Sequence, residues 1–305
     1  MTDLSGVNLN RLVVFAAVVE AGSLTAAADR LGIAKTMVST HMQRLEAEVG
    51  ASLLVRTTRR VSVTEAGQAF YAASRQILST AEDAISALAQ GSGELRGTLR
   101  VATPIDYGTN VIAPMLVGLR RTHPELKVEL VSADRMVDLV AESVDVAIRL
   151  GRLADSSYRA VKIGGFVKWL VASPEFISTW GKPTKPEALA KLPFVAMSAL
   201  VKPLVVSIES RRGARRTVRF SAGFFADTSP TCRAATLAGG GVAFLTDFSI
   251  GDDVAEGRLV RLLPEWSGAP AGIHAVFPSA RQPVPKVRVF IDALKAHLAG
   301  GVDVV

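Results

Sequence analysis

The residues of this sequence whose types and spacing suit recognition chemistry are concentrated between positions 35 and 49. One side of this segment carries short hydroxyls, one amide and long cations: Lys35, Thr36, Ser39, Thr40, Gln43 and Arg44. Such groups hydrogen-bond to base edges and phosphates in the major groove of double-stranded DNA. The other side carries Val38, Met42, Leu45 and Val49. Their spacing predicts an amphipathic helix that buries one face and presents the other to DNA.

A second, alanine-rich helix is predicted directly before this one, over residues 24–31. Ser23 is placed to cap its first turn, and Gly32 allows a tight turn between the two helices. Two helices joined in this way form a helix-turn-helix, and Ser23 is counted among the DNA-binding candidates. An ordinary pair of surface helices is the alternative, because the motif is degenerate in sequence.

Two further elements are predicted to support this pair of helices. A helix over residues 9–20 would pack beneath it through an apolar stripe formed by Leu9, Leu12, Val13, Ala16 and Val19. Residues 52–64 predict a small β-hairpin, whose tip carries Arg56, Thr58, Arg59 and Arg60. Arginines beside a helix-turn-helix favour a wing that grips phosphates or enters a minor groove. An exposed turn kept soluble by its charges is the alternative.

A long helix is predicted from Thr64, its capping residue, to about residue 90, with Glu65 in the first turn. Its apolar residues form an approximate heptad seam: Phe70, Ala73, Ile77, Ala81, Ala84 and Leu88. So narrow a stripe has little to bury within its own chain, which favours a dimerisation helix. A helix packed on its own domain is the alternative.

The composition bounds the class of protein. The chain of 305 residues is long enough for two domains, and its 49% hydrophobic content excludes a disordered protein. The single cysteine, Cys232, cannot form an internal disulfide, which favours a reducing cytoplasm. No signal-peptide core and no apolar run of about 18 residues is present, so we expect a cytoplasmic protein without a membrane span. The histidines are scattered singly, so we expect no metal and no cofactor.

The net charge of +7 gives weaker support to DNA binding than its size suggests. Through residue 92, eight arginines and lysines are balanced by eight aspartates and glutamates, so the excess lies further along the chain. Local clustering of cations matters more for DNA binding than the total.

The pattern changes after the linker Gly91-Ser92-Gly93. Strands are predicted over residues 99–102, 127–131 and 144–150, and helices over 110–122 and near 136–142. Such alternation implies an α/β fold with a parallel sheet covered by helices. Further strands are predicted over 159–163, 167–172, 194–197, 204–208, 217–221, 242–246 and 273–277, with a final helix over 286–298. The glycine run 239–241 follows a helix and precedes a strand, which favours a helix stop over a phosphate loop.

Many of these residues stand at the spacing of one known family. They include Phe15, Val18-Val19-Glu20, Gly22-Ser23, Ala26-Ala27-Ala28, Leu31, Val38-Ser39, Leu45-Glu46, Gly50, Leu53-Leu54, Arg56 and Thr64-Glu65-Ala66-Gly67. Weaker matches at 145–149 and 238–243 extend the likeness to the C-terminal part. The sequence therefore resembles the LysR-type transcriptional regulators over essentially its whole length.

The resemblance implies an all-α winged helix-turn-helix, a long linker helix and an α/β effector domain of two lobes, like periplasmic binding proteins. On this basis we expect a DNA-binding domain over 1–63, a dimerisation helix over 64–91 and an effector domain over 92–305. The first lobe would comprise about 96–164 and 266–305, and the second about 165–265. Members work as homodimers or homotetramers that regulate genes in response to a small molecule, without enzyme activity.

Three departures from the family pattern affect the DNA-binding part. The recognition helix begins Ala34-Lys35-Thr36-Met37, where the family usually has a Ser-Gln-Pro or Ser-Gln-Ser type of sequence. Thr40 replaces a commoner Arg or Lys, and Leu54 replaces a usual Phe. The polar changes alter groups expected to face DNA, so the operator sequence cannot be borrowed from a relative.

The effector is expected at the carboxyl ends of strands, against helix N-termini, because ligands of such folds bind there. The candidates are Thr103, Pro104, Ile105, Met197, Ser198, Asp227, Thr228 and Thr246. Their hydroxyls and free N–H groups favour a carboxylate, although Asp106 and Asp227 are close enough to weaken that preference. Helix capping is the alternative role of Thr103, Ser198 and Thr228.

Two other features carry open alternatives. The basic run Arg211–Arg219 falls between two predicted strands, where a solvated hairpin tip is favoured over a second DNA contact or an acidic partner. Cys232 lies near a helix start, but a packed cysteine is favoured over a reactive one.

Two other classes of function compete with a transcription regulator. A solute-binding protein of a transport system would share the two lobes, but it would require an export signal and no helix-turn-helix. An enzyme on the α/β domain lacks a visible Ser-His-Asp arrangement, metal cluster or phosphate loop.

Overall fold

The architecture is that of a computed structural model, which describes residues 8–56, 61–88, 95–139, 142–153, 158–278 and 284–300. The chain divides into two compact units. The first comprises Met1–Leu99, Glu125–Lys127 and Asp138–Asp145. The second comprises Arg100–Pro124, Val128–Val137 and Val146–Val305.

Among its described residues, the start of the first unit forms four helices and one hairpin. The helices are α1 (Leu9–Ala21), α2 (Leu24–Leu31), α3 (Lys35–Val49) and α4 (Glu65–Leu88), and the strands are β1 (Leu54–Arg56) and β2 (Val61–Val63). Ser23 caps α2, as predicted, because its Oγ accepts the Ala26 N–H at 3.1 Å. Gly32 ends α2 with a φ of 64°, a left-handed conformation that glycine adopts without strain.

The apolar face predicted for α3 is confirmed. Val38, Met42 and Leu45 are completely buried. They share a core with Ala27 and Ala28 of α2, whose small side chains let the two helices pack closely. The helix-turn-helix is therefore held together by its own buried faces.

The buried face of α1 differs from the predicted stripe. Leu9 and Val13 are 49% and 40% exposed, whereas Phe15 and Val18 are completely buried. The Phe15 ring contacts Phe70 of α4, with a centroid distance of 5.7 Å. Because α1 packs against α2, α3 and α4, no single narrow stripe describes its buried surface.

Thr64 and Gly67 fix the start of α4 against the hairpin. The Thr64 hydroxyl donates to the Ser52 carbonyl and accepts the Gly67 N–H, both at 2.8 Å, so the predicted cap is confirmed. A Cβ at position 67 would lie 2.1 Å from the Leu53 carbonyl oxygen. A glycine is therefore required where α4 approaches the backbone before β1.

The helix α4 packs partly on its own unit and leaves other apolar residues exposed, so the dimerisation role stays a prediction. Phe70, Tyr71 and Leu78 pack against the core of the first unit. Ile77 and Ile85 are 48% and 68% exposed, and Ala73 and Ala84 are exposed beside them. Part of the predicted seam is thus open, while Phe70 of the same seam is used within the chain.

The largest sheet has five strands in the order β4-β3-β5-β15-β6. These strands are β3 (Gly97–Thr103), β4 (Leu126–Ser132), β5 (Val146–Leu150), β6 (Tyr158–Phe166) and β15 (Ala271–Pro278). The associated helical segments are α5 (Ile105–Tyr107), a π turn (Gly108–Ile112), α6 (Ala113–Thr122) and α10 (Pro285–Gly300). β3 and β5 are parallel, but β15 is antiparallel to β5 and β6, so the predicted parallel sheet is in fact mixed.

The segment of residues 168–267 contains three small sheets with strand orders β12-β7-β13, β11-β8 and β10-β9-β14. Its strands are β7 (Lys168–Ala172), β8 (Pro193–Met197), β9 (Val205–Ser210), β10 (Arg215–Arg219), β11 (Ser221–Ala226), β12 (Ala243–Thr246), β13 (Val260–Leu262) and β14 (Trp266–Ser267). Its helices are α7 (Pro174–Trp180), a 3-10 helix (Pro186–Lys191), α8 (Ser229–Leu237) and α9 (Asp247–Ala255). The fold is the expected two-lobed one, with the five-stranded sheet in the first lobe and the three small sheets in the second.

The helix predicted near residues 136–142 is not found among the described residues of that segment, and residues 140 and 141 lie outside them. Residues 136–138 have no regular secondary structure, and 139 lies in a turn. Val137 and Leu139 are buried while Met136 and Asp138 are exposed. The Glu142 N–H donates to the Asp138 carbonyl at 3.0 Å and the Val144 N–H to the Leu139 carbonyl at 2.8 Å, so the described residues form turns here and not a regular helix.

Substituting Gly67 by Ala should lower the free energy of unfolding by about 3 kcal/mol, because the new methyl group meets backbone that cannot yield. Gly118→Ala is the matched control, since Gly118 is also helical and a methyl group added there would meet nothing within 4 Å besides the adjacent backbone of its own helix. The control should be neutral or stabilising by up to about 1 kcal/mol. Urea unfolding followed by circular dichroism measures both variants. Equal stabilities would contradict the close packing of α4 on the hairpin.

Candidate nucleic-acid interface and ligand cleft

The polar face predicted on α3 is open to solvent. Its exposed residues are Lys35, Thr36, Thr40, Gln43 and Arg44, and Ser39 is partly exposed. Met37 lies in the first turn of α3 and is 50% exposed. Sequence reasoning did not include Met37, yet its apolar group is of the kind that can contact a thymine methyl.

The hydroxyl groups at this surface have defined roles. The Thr40 hydroxyl donates to the Thr36 carbonyl at 2.9 Å, so an oxygen lone pair and a methyl group remain for a ligand. The Ser23 oxygen accepts the Ala26 N–H, which leaves the Ser23 proton available for a phosphate oxygen. The positive end of the α2 dipole favours an anion at the same place.

Glu46 joins the recognition helix to the hairpin. Its Oε1 accepts the N–H groups of Leu53 at 2.8 Å and Leu54 at 3.1 Å. The carboxylate of α3 therefore caps the backbone that enters β1, and the hairpin keeps its position beside the helix. In the sequence, Glu46 stands out only as part of the family match Leu45-Glu46. Its role depends on a contact with the hairpin that helical periodicity does not reveal.

Glu20 joins three helices of the first unit. Its carboxylate pairs with Arg30 of α2 at 2.7 Å and with Arg75 of α4 at 3.1 Å, and it accepts the Tyr71 hydroxyl at 3.0 Å. These contacts hold α2 and α4 against α1. The α2 helix of the helix-turn-helix is thus tied to both α1 and α4.

The tip of the hairpin falls outside the described residues. Thr58, Arg59 and Arg60 belong to this segment, and of Arg56 only the backbone, which pairs with Val61, is described. The predicted wing contacts therefore stay predictions from the sequence.

The second unit contains a cavity of about 460 Å³ between its two lobes. Its apolar walls include Phe166, Phe194, Met197, Leu200, Phe244 and Phe248. Its polar lining includes Asp106, Asp134, Lys168, Lys202, Ser229 and Thr246. The size and the mainly apolar walls are those of a small-molecule site.

The carboxylate of Asp106 is buried at one end of this cleft and fully engaged. It accepts hydrogen bonds from Ser229 at 2.7 Å, Ser249 at 2.8 Å and Thr246 at 3.2 Å, all on the second lobe. Asn110 of the first lobe donates a fourth bond at 3.0 Å. Ser229 begins α8, and Thr246 and Ser249 lie at the start of α9, so two helix N-termini converge on one carboxylate.

An ion-pair cluster holds α8 against α9. Asp253 of α9 is completely buried and pairs with Arg233 of α8 at 2.5 Å and with Arg258 at 2.7 Å. Although burial opposes ionisation, the two guanidinium groups hold the pKa of Asp253 below its ordinary value. The relative position of the two helices, and hence of their N-terminal hydroxyls, is fixed by this cluster.

Lys168 is the partly buried cation of the cleft. Burial lowers the pKa of its ammonium group, and Asp106 opposes that effect. Among the described residues no carboxylate forms an ion pair with Lys168, and its Nζ lies 5.8 Å from the centroid of the Phe244 ring. The cleft therefore contains one cation whose charge is only distantly compensated.

The predicted effector residues are distributed unevenly around this cleft. Pro104, Met197 and Thr246 line it. Thr103 lines an adjoining groove of about 510 Å³ with Arg135, Arg149 and Arg152. The lining of neither cavity includes Ile105, Ser198, Asp227 or Thr228.

Several hydroxyls expected to hold a ligand have internal partners instead. The Thr228 hydroxyl pairs with Thr231 at 2.8 Å, and the Thr103 hydroxyl donates to the Pro104 carbonyl at 3.4 Å. Lys168 and Ser249 were not among the sequence candidates, and Asp106 entered there only as a charge that weakens the preference for an anion. The order of strand ends and helix starts had pointed to this region, but not to these side chains.

Other chemistries find little support in the described ranges. No cluster of histidine, cysteine and carboxylate suited to a metal ion occurs there. Cys232 is buried, and burial raises the pKa of its thiol, which favours the neutral form. None of the described helices combines the length and apolarity needed to cross a bilayer.

Comparison with known proteins identifies both parts of the chain. Residues 9–68 match the family described as bacterial regulatory helix-turn-helix protein, lysR family. Residues 92–299 match the family described as LysR substrate binding domain.

Individual relatives extend the match over nearly the full length. The HTH-type transcriptional regulator PtxR of Pseudomonas aeruginosa is 35% identical over 97% of this chain and 94% of its own. The regulator CrgA of Neisseria meningitidis serogroup C is 32% identical over 95% of this chain and 97% of its own. The solved structure of the LysR-type regulator CrgA from Neisseria meningitidis covers 96% of this chain and 99% of its own, with 30% identity and a TM-score of 0.62. With a family domain covering most of its length and an exposed recognition face before it, this chain belongs to the LysR family of DNA-binding transcription regulators.

Proposed function

We propose that this regulator reads double-stranded DNA with the polar face of α3 and holds the phosphates with flanking cations. The observation that carries the proposal is that Val38, Met42 and Leu45 are completely buried while the opposite face is open. Thr36, Ser39, Thr40 and Gln43 would meet base edges, because hydroxyl and amide groups discriminate between base pairs. Phosphates would be held by Ser23, Lys35, Arg44, Arg56, Thr58, Arg59 and Arg60.

We further propose a homodimer or homotetramer. β4 and β11 each have a strand partner on one side only among the described residues. Phe224 and Phe225 of β11 are 42% and 54% exposed, and a groove of about 400 Å³ beside β4 includes the exposed Val117. Two different apolar faces on one chain can pair reciprocally around a twofold axis. The open isoleucines of α4 support a separate contact through the linker helix.

The effector proposed for the cleft is a small molecule, with a carboxylate favoured. Support comes from the apolar cavity between the lobes and from the position of Lys168 within it. Binding between two lobes changes their equilibrium separation, and a shift in subunit packing would then alter how the DNA-binding parts are presented.

The functions proposed for the parts of the chain follow the domain limits predicted from the sequence. Residues 1–63 would bind DNA, 64–91 would link and dimerise, and 92–305 would bind the effector. The lobes would comprise about 96–164 with 266–305, and 165–265. The protein would act in the cytoplasm, where its DNA and effector are both accessible.

Replacing Gln43 by Ala should reduce affinity for the preferred site by about 1–3 kcal/mol while leaving binding to unrelated DNA unchanged, because the amide would read a base edge. Footprinting on DNA upstream of its own gene and of the neighbouring gene first locates a site. Competition with base-substituted duplexes then measures discrimination. Gln68→Ala, at an exposed glutamine of α4, is the control. Protection nowhere, or an equal loss on all sequences, would contradict the assignment.

Replacing Arg59 and Arg60 together by Ala should weaken binding to all sequences alike, because both would contact phosphates. The slope of log affinity against log salt concentration should fall by about 2. The control is the double variant Arg211→Ala, Arg212→Ala, which removes two exposed arginines from the β9–β10 hairpin. A changed sequence preference in the first variant, or an equal slope change in both, would count against the wing.

Replacing Phe225 by Asp should raise the dissociation constant of the assembly by at least about tenfold, because a charge would be placed in an apolar contact. Val201→Asp is the control, since Val201 is 97% exposed and lies on neither edge strand. Light scattering coupled to gel filtration across a dilution series measures the mass of each variant. If Phe225→Asp retained the assembly of the parent protein, β11 would not be the interface.

A further inference from the structure

We infer that the ligand cleft carries its own carboxylate, Asp106, at its most favourable anion position, so that the effector is a small apolar monoanion bound through Lys168. This inference rests on the proposed effector role of the cleft and names the chemical class and the residue that selects it.

The position occupied by Asp106 has the chemistry of an anion site. Three hydroxyls donate to its two oxygens, and the hydroxyl-bearing residues start α8 and α9, whose N-termini favour negative charge. With the bond from Asn110, each oxygen accepts two hydrogen bonds. An external carboxylate therefore finds these donors already used.

The anion site cannot readily open to admit a ligand beside Asp106. Arg233 and Arg258 hold α9 through the buried Asp253, and Arg233 belongs to α8. Because the two helices are fixed to each other, their hydroxyls converge on a volume that one carboxylate fills. A second carboxylate there would meet the repulsion of a like charge at close range.

Among the groups that line the cleft, Lys168 would gain the most favourable electrostatic free energy from pairing with an external anion. Its ammonium group is partly buried and has no ion pair among the described residues, whereas Lys202 of the same cleft is exposed to water. An unpaired cation in low-dielectric surroundings gains more from an incoming anion than a solvated one does. The negative charge of Asp106 acts at longer range and offsets only part of the effect by which burial lowers the pKa of Lys168.

The walls around Lys168 define the rest of the ligand. Phe166, Phe244 and Phe248 line the cleft, and the Lys168 Nζ faces the Phe244 ring. The remaining charged lining residues, Asp134 and Lys202, are exposed and opposite in sign. One negative group on an apolar body therefore matches the cleft, whereas a second negative group would find only the solvated Lys202 or the repulsion of Asp106 and Asp134.

Three probes with one body and different charges test this assignment: 3-phenylpropionate, 3-phenylpropionamide and 3-phenylpropylamine. Calorimetry on the full-length protein at constant ionic strength should show the anion binding at least about tenfold more tightly than the amide, with the amine weakest. Lys168→Met should lower anion affinity to that of the amide. Lys202→Met, which removes the exposed lysine of the same cleft, should change it by less than about twofold.

The role of Asp106 has its own test. In Asp106→Ala the vacated hydroxyls should accept a small external carboxylate, so sodium formate should raise the melting temperature of this variant more than that of the parent protein. Sodium chloride at equal ionic strength is the control. If Asp106→Ala does not fold, Asp106→Asn retains the shape. The loss of negative charge near Lys168 should then strengthen 3-phenylpropionate binding severalfold.

The outcomes separate this inference from the proposed function. Absence of binding by the anion at about 10 mM, equal affinity for anion and amide, tightest binding of the amine, or unchanged preference in Lys168→Met would each overturn it. So would formate and chloride having the same effect on Asp106→Ala, or unchanged anion affinity in Asp106→Asn. DNA footprinting with the same preparations decides the proposed function independently. Intact protection with no anion preference would remove the inference alone.

Discussion

A carboxylate withdrawn from water must be hydrogen-bonded, and Asp106 meets this requirement with donors from both lobes of the effector part. Asn110 belongs to its own lobe, while Ser229, Thr246 and Ser249 come from the other. The spacing of the lobes is thereby tied to one side chain. The cleft volume, the burial of Lys168 and the arrangement of the phenylalanine walls all depend on that spacing.

The DNA-binding part depends on a similar use of carboxylates. Glu20 gathers α1, α2 and α4, and Glu46 holds the hairpin against α3. Each carboxylate pairs with several donor groups, so it holds segments of the chain together through more than one contact. The exposed face of α3 can then remain rich in hydroxyls and cations, because the packing beneath it does not require them.

The predictability of each feature follows the range of the interactions behind it. α2 and α3 match the predicted limits because their apolar spacing, the Ser23 cap and the glycine stops are local signals. The described part of the helix predicted near residues 136–142 forms turns instead, because a short apolar segment carries too little periodic signal to specify a helix. The contacts of Asp106 span 123 to 143 residues of sequence, and nothing local marks its partners. Lys168 likewise could not be singled out from the sequence, because only its burial in the cleft distinguishes it from other lysines.

The glycine at position 67 also has a mechanical consequence. Because its backbone touches the Leu53 carbonyl, the first turn of α4 and the base of the hairpin form one rigid joint. A helix of 24 residues is about 36 Å long at about 1.5 Å per residue, so a tilt of about 5° at that joint displaces its far end by roughly 3 Å. Because this joint is closely packed, a displacement at the far end of α4 would turn the first turn of the helix and the base of the hairpin together.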